Sequence, residues 1–109
     1  MTLRLYVAQR LTAVLMAPML LLHLAMIFYA TRNGLTAADI LGRTHGSVAA
    51  ALFYGAFVVA ASVHAAIGVR TVLREWTTLK RRGATATALV LFMLLLVLGI
   101  RAVAAVVIA

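Results

Sequence analysis

The sequence has no cysteine, one proline and only two acidic residues among 109. The lack of cysteine excludes disulfides, thiolate metal sites and cysteine nucleophiles. Both acids, Asp39 and Glu75, fall between the long apolar runs, so no carboxylate lies within one. That counts against a proton-coupled or cation transporter, which usually needs an intramembrane carboxylate. Charged residues make up 11% of the chain, whereas an ordinary soluble domain carries about a quarter. A chain this small has too much surface for so few charges to solvate. A soluble enzyme is therefore disfavoured.

What the chain has instead is apolar sequence: 66% of its residues are hydrophobic. They fall in three runs, roughly 11–30, 47–69 and 84–108, each long enough to cross a hydrocarbon core of about 30 Å as a helix. The expected fold is an all-α integral membrane protein, a single transmembrane domain over 1–109 with three spans. No convincing cleavage site follows the first run, so a signal peptide is not expected. Residues 1–10 read as a short amphipathic lead-in. The first run contains Pro18, which removes a backbone hydrogen bond to the Val14 carbonyl and is expected to kink the helix. It ends at Thr31-Arg32-Asn33-Gly34, a good stop signal. In the polar connection 31–46, Thr36-Ala-Ala-Asp39-Ile-Leu is compatible with a short surface helix. A basic segment from Arg70 to Arg82 joins the second and third runs and carries Trp76, an amphipathic ring suited to the headgroup level.

Ten basic residues give a net charge of +8. In a soluble protein this would point to nucleic acid, but here the cations punctuate apolar runs and no nucleic-acid partner is expected. Arg4, Arg10, Arg70, Arg74, Lys80, Arg81 and Arg82 belong to the N-terminus and the second connection. Arg32 and Arg43 belong to the first connection. The imbalance puts the N-terminus in the cytoplasm and the C-terminus outside.

Polar groups are costly within lipid and tend to carry function there. Three stand out: His23, His64 and Arg101. A buried histidine packs against a neighbouring helix through a hydrogen bond, relays protons, or ligates a metal through a neutral ring nitrogen. Ala60 and Gly68 lie one turn either side of His64 on the same face, leaving room for a flat macrocycle or for close helix packing. His64 is six residues from Arg70, or ~9 Å from the cytoplasmic edge. His23 is nine residues from Arg32, or ~16 Å from that same edge of a ~30 Å core. The difference in depth disfavours one iron shared by both histidines. It fits two haems stacked across the membrane, each completed by another chain's histidine, or one haem on His64 with His23 structural. Arg101 either snorkels to the outer headgroups or neutralises a propionate of an outer haem. His45 reads as a solvated loop residue.

The segment His64-Ala-Ala-Ile-Gly68-Val-Arg70, followed by Leu73-Arg-Glu-Trp76, resembles the second-helix signature of the cytochrome b membrane-anchor subunit of succinate dehydrogenase and fumarate reductase. Gln9-Arg10-Leu-Thr12, entering the first run, is similar to that family's first-helix start, an Arg followed by a hydroxyl residue and Gly. The resemblance covers about residues 5–80. It implies that His64 is an axial ligand of haem b, that Arg10 lies at a quinone pocket beside an iron–sulfur subunit, and that Arg70 pairs with a haem propionate. Thr12 and Tyr6 come to that pocket with Arg10. Tyr6 stands where some members have a quinone-contacting Ser, and Ala13 where the family usually has Gly. His23 resembles the first-helix histidine that binds the outer haem in two-haem members.

The resemblance further implies an electron-transfer subunit that is not an enzyme on its own. It would pass electrons from the iron–sulfur subunit to membrane quinone and would assemble with a flavoprotein subunit and a second membrane anchor. Its helices would form part of a shared bundle holding one haem b or two, in a bacterial inner (plasma) membrane. The competing readings are a small oligomeric transporter or pore and a haem-free structural anchor.

Overall fold

The computed structural model describes residues 2–108, which fold entirely into helices and short connections. Helix α1 spans Leu3–Asn33, α2 Ala37–Thr44, α3 Val48–Trp76 and α4 Arg81–Val107. Helices α1, α3 and α4, of 31, 29 and 27 residues, are long and apolar enough to cross a membrane. Helix α3 is central: it packs most extensively on α4 and also on α1. The molecule measures 48 × 24 × 22 Å, so its long dimension exceeds a ~30 Å hydrocarbon core.

Side-chain oxygens start three of the four helices. Thr2 accepts from the Leu5 amide at 3.3 Å, and Ser47 from the Ala50 amide at 3.1 Å. Thr36 and Asp39 form a capping box at α2. Each cap satisfies an amide left without an intrahelical partner. Helix α1 continues through Pro18. Residues 3–10, expected as a lead-in, are its first turns. Much of the expected basic connection is helical as well: α3 runs on to Trp76 and α4 begins at Arg81. Arg70, Arg74 and Glu75 interrupt hydropathy there without disfavouring helix.

Lipid-facing helices lack a hydrophobic drive to associate, so close packing of small residues does that work. Most buried positions of α3 and α4 fit this: Ala60, Ser62 and Ala66 on α3, and Ala84 and Ala88 on α4, with the larger Ile67 of α3 beside them. Ser62, 1% exposed, satisfies its hydroxyl on the Val58 carbonyl at 2.7 Å. At Gly99 of α4 a Cβ would collide with the Val58 side chain, so the two helices meet there only because residue 99 is glycine.

The first connection closes one end of the bundle. The Thr44 hydroxyl donates to the Val106 carbonyl at 2.6 Å, and the Gly46 amide donates to the Val107 carbonyl at 2.8 Å. These carbonyls belong to the last turn of α4 and have no acceptor role within the helix. Arg43 donates to the Gly34 carbonyl at 2.8 Å. Gly34, at φ 138°, adopts a backbone that other residues avoid.

Candidate functional site

Thr12 of α1 and His64 of α3 meet between their helices, with Oγ1 and Nδ1 3.0 Å apart. The same Thr12 oxygen lies 2.9 Å from the Ala8 carbonyl and 3.0 Å from the Gln9 carbonyl. A hydroxyl has one proton, and both carbonyls of its own helix are within reach to accept it. With that proton on either carbonyl, the oxygen is an acceptor for a His64 ring protonated on Nδ1. A neutral imidazole protonated on Nδ1 keeps its lone pair on Nε2. Metal-ligating histidines are commonly oriented in this way, with the non-ligating nitrogen donating to an oxygen.

His64 lines a cavity of about 370 Å³ together with Gln9, Gly68 and Val72. His64, Gly68 and Val72 are spaced by four and share a face of α3. The missing side chain at Gly68 keeps the wall beside the imidazole low, with only the Gln9 amide nitrogen near the place a Cβ would occupy. Gln9 Oε1 is buried without a hydrogen-bond partner. A half-buried imidazole held through Nδ1 by a hydroxyl, a glycine one turn away and an unpaired amide oxygen fit a flat ligand that takes a ring nitrogen.

His23 lies elsewhere. It lines a separate cavity of about 430 Å³ to which all four helices contribute. Its ring centroid is 5.8 Å from both the Tyr54 and the Phe57 rings. Its Nδ1 is buried and unpartnered, so no neighbour fixes its tautomer as Thr12 does for His64. The two histidines do not face a common space.

The arginines also divide. Arg10 Nε donates to the Tyr6 hydroxyl at 3.2 Å on the exposed side of α1, with its guanidinium 5.5 Å from the Tyr6 ring centre. Arg70 Nε donates to Thr85 Oγ1 of α4 at 3.0 Å and lines a third cavity, apart from His64. Arg101 is exposed. The α4 residues that line the His23 cavity are Gly99, Ala102, Val103 and Val106, and position 101 lies on another side of the helix. His45 is exposed at the end of α2.

A family model for the succinate dehydrogenase/fumarate reductase transmembrane subunit matches residues 1–102. The chain belongs to that family. No curated protein and no solved structure is similar enough to add to the assignment. As a succinate dehydrogenase/fumarate reductase transmembrane subunit, the chain is an integral membrane protein that works within a multi-subunit complex.

Two features were invisible to sequence reasoning. In the sequence Gln9 is only the first residue of the Gln9-Arg10-Leu-Thr12 stretch, and its unpaired buried oxygen emerges only when α1 lies on α3. Thr12, which the resemblance brings to a quinone pocket, contacts the His64 imidazole. The pair is separated by 52 residues, and only the register of α1 against α3 brings them together.

Proposed function

We propose that the chain is the haem b-binding, quinone-site membrane anchor of a succinate:quinone oxidoreductase, with His64 as an axial ligand. The observation that carries this reading is the Thr12–His64 hydrogen bond, which leaves the Nε2 lone pair free beside a glycine-lined cavity. A haem b bound there supplies one-electron transfer between the iron–sulfur subunit and quinone. Thr12 orients the imidazole and fixes its tautomer. Gln9 offers an acceptor to the same space, and Gly68 keeps the wall open. A second membrane anchor would complete the ligation.

Arg10, held by Tyr6, presents a guanidinium at the basic end of α1. There it donates to a quinone carbonyl in a pocket completed by the iron–sulfur subunit. The reading takes one haem. His23 lacks the orienting partner of His64, and its cavity is separate from that of His64. The basic end faces the cytoplasm, following the positive-inside rule.

A second reading has its own support: the Thr12–His64 bond also serves interhelical packing in a haem-free anchor. A reduced-minus-oxidised spectrum of the purified complex separates the two. A b-type band that depends on His64 supports haem ligation, and its absence from the intact complex sides with the haem-free anchor.

A further inference from the structure

A cavity of about 1000 Å³ opens at the end of the bundle opposite α2, between α3, α4 and the first turns of α1. Its mouth carries Arg70, Arg81 and Arg82, and no acidic residue lines it. Both acids of the chain, Asp39 and Glu75, lie elsewhere. Arg70 is half-buried and held by Thr85, so one guanidinium is fixed at the mouth rather than free in solvent. Beyond the mouth the lining is apolar, with Ile67, Leu89 and Phe92 among its residues.

The depth of this lining decides what fits. From Arg82 to Phe92 is ten residues of helix, or ~15 Å at 1.5 Å per residue. That is about the depth of one leaflet of a ~30 Å core. A soluble subunit meets the arginines but has no means of following an apolar groove that far into the bilayer. A partner helix fills the groove but leaves three cations without counter-charge unless it brings carboxylates. A molecule with an anionic head and a hydrocarbon tail satisfies both parts.

We infer that this groove is a specific site for an anionic phospholipid, the phosphate held by Arg70, Arg81 and Arg82 and an acyl chain lying along α3 and α4. The inference rests on the membrane placement of the chain and does not depend on haem at His64. Basic pockets between membrane helices on the cytoplasmic side are suited to such headgroups.

The test uses the intact complex in phosphatidylcholine vesicles with a trace of spin-labelled phosphatidylglycerol or spin-labelled phosphatidylcholine. The wild-type complex is expected to immobilise the anionic lipid in clear preference to the zwitterionic one. In R81Q/R82Q the preference falls by roughly tenfold, R81K/R82K retains most of it, and Arg4→Gln, which removes a charge from the same end outside the cavity, leaves it unchanged. A photoactivatable phosphatidylglycerol should label peptides 63–70 and 81–92 of the wild type, a result that needs no variant to assemble. Absence of any preference in the wild type, an equal loss in Arg4→Gln, or labelling confined to other segments would each overturn the site. So would an unchanged lipid preference in R81Q/R82Q accompanied by release of the soluble subunits, which would assign these arginines to protein docking.

Discussion

His64 Nδ1 and Thr12 Oγ1 stand 3.0 Å apart, and the Ala8 and Gln9 carbonyls of α1 are both within reach of the hydroxyl proton. The bond therefore does more than join two helices: it selects which imidazole nitrogen remains free. Thr12→Val keeps the shape and removes the acceptor. Haem affinity is expected to fall roughly ten- to a hundredfold, the usual effect of losing such a supporting group, while Thr12→Ser retains most of it. Haem transfer to an apoprotein acceptor measures this directly. Equal retention in Thr12→Val and wild type would remove Thr12 from the support of the ligand.

Arg10 and Tyr6 make a different prediction. Their hydrogen bond is at the exposed face of α1, away from the His64 cavity. Arg10→Ala should slow quinone reduction on the order of ten- to a hundredfold, as expected for one lost charge-assisted hydrogen bond of about 1.5–3 kcal/mol. Haem content should be unchanged. Steady-state quinone reduction with a parallel haem assay checks both. Normal quinone kinetics in the variant would place the pocket elsewhere.

Gly99 gives a stability prediction. A Cβ there meets the Val58 side chain, so Gly99→Ala should destabilise the α3–α4 pair by about 1–3 kcal/mol. Adding Val58→Ala should recover part of that loss, because residues in contact do not act additively. Thermal unfolding of the detergent-solubilised complex reads the effect. Strict additivity of the two changes would contradict the contact.

The Asp39 carboxyl titrates below its ordinary value, chiefly because the Thr36 side chain and then the Thr36 amide hydrogen-bond to it, with Arg43 adding a smaller attraction. A folded-state value below the unfolded one stabilises α2 above the ordinary aspartate range near about 3.9. That contribution is lost as pH falls through the depressed value. Thr36→Ala should move the Asp39 titration back up toward ordinary, as followed by carboxyl carbon NMR. An unchanged titration would show that the capping box does not set it.

The architecture was legible where hydropathy and helix formation agree. The three apolar runs became α1, α3 and α4, and Thr36 to Asp39 signalled α2 through its capping pattern. The helix ends were not, because Arg70, Arg74 and Glu75 end an apolar run without ending a helix. His64 stood out because a polar ring within an apolar run, flanked by Ala60 and Gly68, is conspicuous in the sequence. Its partner did not, since Thr12 lies on another helix and only packing fixes the register. Arg70 was conspicuous for its spacing from His64, yet the two point to different cavities because six residues along a helix turn the side chain well around the axis.

The most direct test of haem ligation is the redox spectrum of the purified complex with and without His64. The account predicts a b-type reduced-minus-oxidised band in the wild-type complex. His64→Ala should lose that band while the complex still assembles, and His23→Ala should keep it. An assembled His64→Ala complex with an undiminished b-type band would contradict His64 as the ligand.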